Sequence, residues 1–140
     1  MVITIAKRHL AFLTRVAEGE YPLESCAVLL GRQSGEVNVV VRCRNVDPEP
    51  RRRYEIDPRE LIRLQRAASC SGLEIVGFHH SHPEHEAAPS DTDLDKAYWA
   101  GCTYVITSVR SSRACETRAF RLDEDETGKR FVQTEIKPRG

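Results

Sequence analysis

From Leu73 to Phe78 the chain is a short apolar run, and it leads directly into His79-His80-Ser81-His82-Pro83. An apolar segment of this length, opening after Gly72 and stopped by a proline, reads as a buried central strand. No other stretch constrains the fold as tightly. Four of the five histidines lie between positions 79 and 85, so this strand must end in ionisable chemistry rather than in solvent. Side chains alternate along a strand, which places His80 and His82 on one face and Ser81 on the other. His79 then faces away as a packed or supporting residue, and His85 lies in the loop that follows.

The remaining elements arrange themselves around that strand. Val2-Ile3-Thr4-Ile5 is β-prone, and Lys7 to Glu18 carries Leu10, Leu13 and Ala17 at helical spacing, with Gly19 as its stop. Glu24 to Gly31 is a short apolar run with one acid at its mouth. It reads as a strand, joined through Gln33-Ser34-Gly35-Glu36 to a returning strand at Val37–Val41. Asn45 to Ile56 has no period and is expected as an exposed loop. Asp57-Pro58-Arg59-Glu60 is a helix start, with Asp57 as N-cap and Glu60 reaching back, and Leu61, Ile62, Leu64 and Ala68 form the buried face. Ser90 opens a further helix through Leu94, Ala97, Tyr98 and Trp99 to Gly101. Strands follow at Thr103–Thr107, Cys115–Leu122 and Phe131–Ile136, and residues 137–140 are expected to fray. The fold class expected is α/β (α+β), a mixed central sheet flanked by helices, built as one domain over residues 1–140.

Two imidazoles on one strand face are able to converge on a metal ion. Asp93, in the first turn of the helix after the loop, is placed to add a carboxylate oxygen. Two nitrogens, one oxygen and an open position describe catalytic zinc, which makes water acidic near neutrality. Ser90 and Asp93 also have a purely structural reading as a capping box. Two other zinc patterns fail here. His85-Glu86-Ala87-Ala88 meets Pro89 where the H-E-x-x-H helix needs its second histidine, and His82-Pro83-Glu84 has no P-C-x-x-C after it.

His80-Ser81-His82-Pro83, six residues, then Ser90 and Asp93 resembles the signature of the JAMM metalloproteases, the catalytic branch of the MPN or Mov34 domain family. Glu24-Ser25-Cys26-Ala27-Val28-Leu29-Leu30-Gly31 resembles the family's glutamate-bearing strand, with Ala27 where glycine is usual. The resemblance spans roughly residues 5–110. It implies an MPN fold related to that of cytidine deaminases. It also implies one zinc ion per chain held by His80, His82 and Asp93, with Glu24 as general base and Ser90 as hydrogen-bond donor to the oxyanion. The implied reaction is hydrolysis of a peptide or isopeptide bond after the C-terminal Gly-Gly of a ubiquitin-like or sulfur-carrier protein of β-grasp fold. A chain this short resembles the compact prokaryotic type. Arg51, Arg52 and Arg53 are candidates for steering an acidic partner, against a plain reading as a solvated loop.

Charge and cysteine content narrow the setting. Lys plus Arg and Asp plus Glu are both 21, which makes no global case for nucleic acid or an anionic membrane. No run is long enough to span a bilayer. Five scattered cysteines without a C-x-x-C pair fit reduced thiols and a cytoplasmic location. A non-catalytic MPN module that binds a ubiquitin-like tail or scaffold is the competing class. A cysteine-dependent hydrolase finds no local motif.

Overall fold

The computed structural model describes residues 1–140. Its elements in chain order are β1 (Val2–Ala6), α1 (Lys7–Glu20), β2 (Cys26–Gly31), β3 (Val39–Cys43), α2 (Pro58–Cys70), β4 (Glu74–Pro83), α3 (Asp91–Asp95), β5 (Thr103–Arg110), β6 (Arg113–Asp125) and β7 (Gly128–Arg139). The seven strands form one mixed sheet in the order β1-β7-β6-β5-β4-β2-β3. The β1–β7 and β4–β5 pairs are parallel and the others antiparallel. The sheet curls until its first strand meets the turn between β2 and β3: the Thr4 N–H donates to Gly35 O at 2.8 Å, and the Val37 N–H donates to Thr4 O at 3.0 Å.

Each face of the sheet buries its own core. Helix α1 lays Leu13 against Ile3, Ile5, Leu29, Val76 and Val105, the stripe that its helical spacing implies. Helix α2 lays Leu64 and Ala68 on the opposite face, over Cys26, Val28, Phe78 and Tyr104. The metal-site histidines belong to this second face.

A bulge in β4 shifts the phase of the strand just before the histidines. Leu29 pairs with Gly77, but the next residue, Leu30, pairs with Ile75, so β4 carries one residue more than β2 at this point. Ile75 therefore shares the α2 side with Phe78, while Val76 turns to the α1 side. Gly77 is required at the bulge, because a Cβ there would lie 2.3 Å from the backbone oxygen of Thr103.

Four expectations are corrected. Helix α3 has five residues and stops at Asp95 instead of continuing to Gly101; Lys129, from the start of β7, donates to the Asp95 and Ala97 carbonyls at 3.1 and 2.8 Å. That cation satisfies the open helix end, and Trp99 is freed to pack edge-on against Phe78 at 5.5 Å between centroids. At α2, Asp57 does accept from the Arg59 N–H, but Glu60 turns outward to the Arg63 guanidinium at 2.6 Å. Ile62 is not buried; it is 49% exposed. The tail is not frayed up to Arg139: Lys137, Pro138 and Arg139 pair with Thr4, Ile5 and Ala6, since β1 needs a parallel neighbour along its whole length.

Candidate metal centre

The site begins with the pairing of β2 and β4. Cys26 lies opposite His80. One step outward, the Ser25 N–H donates to Ser81 Oγ at 2.8 Å and the Ser81 N–H to Ser25 O at 3.2 Å. Ser81, between the two histidines and facing away from them, thus clamps the entry to β2. The same antiparallel register carried one residue further sets Glu24 across from His82, on the face of the histidines.

His80 Nε2, His82 Nε2 and Asp93 Oδ2 converge. The nitrogens are 3.1 Å apart, and Asp93 Oδ2 lies 3.3 Å from the first and 3.0 Å from the second. The edges of a tetrahedron with zinc–ligand distances of about 2.0–2.1 Å are roughly 3.4 Å long, so the triangle is close to one face of such a site. His82 Nδ1 donates to Glu86 O at 2.9 Å, which leaves Nε2 as the electron-pair donor. Ser90 holds the third ligand, its N–H donating to Asp93 Oδ2 at 2.9 Å and its Oγ accepting from the Asp93 N–H at 3.0 Å. The capping box and the metal ligand are therefore one structure. Two imidazoles and a carboxylate, nearly dry and aimed at one point, fit a divalent ion such as zinc.

Electrostatics follow from burial. Desolvation keeps the His80 imidazole below its ordinary range. At His82 desolvation acts in the same direction, but the Asp93 carboxylate outweighs it and the pKa rises. Burial opposes ionisation of Asp93, yet the two imidazoles and the Ser90 N–H hold its carboxyl far below the usual range. Glu24 is the opposite case: burial, against the pull of His82 and with the help of Asp93 and Asp47, pushes it up to about 8. Its Oε1 is buried with no hydrogen-bond partner, as befits a group reserved for a proton.

The loop between β3 and α2 forms the rim. Tyr54 stacks on the His80 ring at 4.4 Å between centroids. Asp47, buried, accepts from Lys96 Nζ at 3.2 Å and so ties this loop to the chain leaving α3. Tyr54, Phe78, Trp99 and Tyr104 line a cavity of about 250 Å³ beside Asp93. Of the three arginines, Arg51 and Arg52 are exposed. Arg53 pairs with Glu49 and faces Asp47 at 3.6 Å, and it lines the cavity. His79 faces away, fully buried, with Nε2 2.8 Å from Thr107 Oγ1. Tyr54, Asp47 and Lys96 carry no signal in the sequence, because each owes its place to a partner many residues away.

Residues 6–123 match the family model described as prokaryotic homologs of the JAB domain. The chain belongs to this family. It carries the JAMM-type metallopeptidase site in His80, His82 and Asp93. Among its relatives is a desampylase from Haloferax volcanii, 42% identical over 93 residues that make up 66% of this chain and 67% of the relative. A CysO-cysteine peptidase from Mycobacterium bovis is 31% identical over 107 residues, 76% of this chain and 73% of the other. The crystal structure of a JAB1/MPN domain protein from Archaeoglobus fulgidus superposes with a TM-score of 0.60 over 96% of this chain and 97% of the other, at 17% identity. The JAB fold is thus shared well beyond recognisable sequence.

Proposed function

We propose that the protein is a zinc metallopeptidase that hydrolyses the bond after the C-terminal Gly-Gly of a small ubiquitin-like or sulfur-carrier protein. The observation that carries this reading is the convergence of two imidazole nitrogens and one carboxylate oxygen within 3.3 Å of one another, with the buried carboxylate of Glu24, just before β2, unpartnered at Oε1. His80, His82 and Asp93 would hold one zinc ion. When bound, zinc supplies Lewis acidity, both for the attacking water and for the scissile carbonyl. Glu24 takes a proton from the attacking water and returns it to the departing amine, and burial, which raises its pKa, makes its carboxylate the stronger base for the first transfer. The Ser90 Oγ accepts from the Asp93 N–H and keeps its own proton free to donate to the carbonyl oxygen as charge develops there. The names of the relatives, desampylase and CysO-cysteine peptidase, support a carrier conjugate as substrate. The aromatic cavity next to Asp93 would receive a side chain of the bound tail. Arg51 and Arg52, exposed at the rim, would steer an acidic carrier. We place the reaction in the cytoplasm, where five unpaired thiols stay reduced.

The test is hydrolysis of a Gly-Gly-extended β-grasp carrier fused to one further residue, followed by mass spectrometry with zinc-loaded protein. Glu24→Gln is expected to keep one zinc per chain and to lose turnover by about a hundredfold or more. Normal turnover in that variant, or turnover indifferent to a chelator, would remove this mechanism.

A further inference from the structure

We propose that Asn45 is the positioning residue for the general base, setting the main chain of Glu24 against the metal ligands. The inference rests on the reading of Glu24 given above. Neither backbone group of Glu24 bonds to a neighbouring strand. Its N–H donates to Pro50 O at 2.7 Å, and its carbonyl accepts from Asn45 Nδ2 at 3.0 Å. Strand β2 begins only at Cys26, so the residue that handles the proton is held by the loop of residues 45–56 and not by the sheet.

Within that loop the Asn45 carboxamide is the junction. Nδ2 donates to Glu24 O and Arg53 O, both at 3.0 Å, while Oδ1 accepts from the Asp47 N–H at 3.0 Å and the Glu55 N–H at 3.1 Å. An amide has two donor protons and two acceptor lone pairs, and here all four are used inside the protein. The Val46 N–H also donates to Glu55 O at 2.9 Å, which closes the two arms of the loop on each other. Tyr54, stacked on His80, lies between Arg53 and Glu55, two of the four residues whose backbone groups Asn45 binds. One carboxamide therefore spans the general base on one side and the segment packed on a metal ligand on the other. No other side chain does this: aspartate lacks both donors and would set a carboxylate oxygen against two carbonyls, and glutamine is one methylene too long. A displacement of the base by about 1 Å is enough to slow the reaction by about a hundredfold.

The experiment compares Asn45→Asp and Asn45→Ala in the wild-type and the Glu24→Gln backgrounds, on the Gly-Gly-extended carrier, with zinc content and thermal midpoint measured for each. Both Asn45 variants are expected to fold and to bind one zinc. They should lose kcat by about tenfold or more with KM changed by less than about threefold. In the Glu24→Gln background, Asn45→Asp should lower the residual rate by less than about twofold, because the group it positions is gone. Full kcat in the Asn45 variants while Glu24→Gln is inactive would overturn the inference and leave the proposed function standing. An equal loss in both backgrounds, or failure of both variants to fold, would also overturn it, since Asn45 would then act on the structure at large. Normal turnover in Glu24→Gln alone would instead overturn the function on which the inference rests.

Discussion

Three buried or half-buried carboxylates lie at the metal site and its rim, and each is governed by different neighbours. Asp93 is surrounded by donors and stays ionised; Glu24 has none at Oε1 and is driven toward the neutral form. Asp47 is as buried as Glu24, yet the Glu49 N–H, Lys96 and Arg53 more than offset its desolvation and hold its pKa below the ordinary 3.8. A group whose folded-state pKa is depressed stabilises the fold above its unfolded value and loses that contribution as the pH falls below it. Asp47→Asn, compared with wild type by urea unfolding in chelator, is therefore expected to cost about 1–2 kcal/mol at neutral pH. The lower part of the usual range applies because Lys96 and Arg53 are themselves 43% and 37% exposed. The gap should narrow below about pH 4, as the wild-type carboxyl protonates. A gap that widens on acidification would refute the role given to Asp47. His80, His82 and Asp93 were legible because their spacing carried them, and Glu24 only because its strand resembles the glutamate-bearing strand of the family. Asn45 and Asp47 carried no such signal, since a polar residue in an aperiodic loop reads the same whether solvated or buried.

At the level of the element, β4 is the decisive strand, and Gly77 is its weak point. Gly77→Ala would press a methyl group onto the Thr103 carbonyl, 2.3 Å from its position, where the β4–β5 pair begins. A backbone atom has little room to yield, so a loss of about 2 kcal/mol or more is expected. Weaker zinc binding should accompany it, because His80 and His82 follow on the same strand. Gly19 is a control of opposite sign. Expected as the stop of α1, it lies instead inside the helix, which runs to Glu20, with nothing within 4 Å of where an added methyl group would sit, and Gly19→Ala should stabilise by about 0.5–1 kcal/mol. Thermal midpoints of the two variants, measured together, separate them. If Gly77→Ala matched wild type, the close approach at the bulge would be wrong. The sequence marks Gly77 only as a glycine in a strand; that it sits in a bulge follows from pairing with Leu29 and Leu30, more than forty residues away.

Across the whole molecule, the curled sheet depends on its two chain ends meeting. Arg139 reaches from the end of β7 to Glu36 at 3.5 Å and to the Val37 carbonyl at 3.4 Å, beside the bonds that join β1 to the β2–β3 turn. Deleting residues 137–140 should lower stability by about 1–3 kcal/mol through the loss of strand pairing along β1, while zinc stoichiometry stays at one per chain. Calorimetry with metal analysis tests both, and loss of zinc binding would show that the closure also supports the metal centre. By itself the sequence determined the alternation of helices and strands, the α2 N-cap and the spacing of the metal-ligand set, because caps, periods and ligand spacings are local and recur with residue type. Only the tertiary structure decided where α3 stops, which face Ile75 takes and how the tail is bound. It also decided that Glu24 is held by a loop amide. Each of these depends on a partner distant in the chain, a lysine from a hairpin, a bulge opposite another strand or a carboxamide with four partners, and such pairings have no local signature.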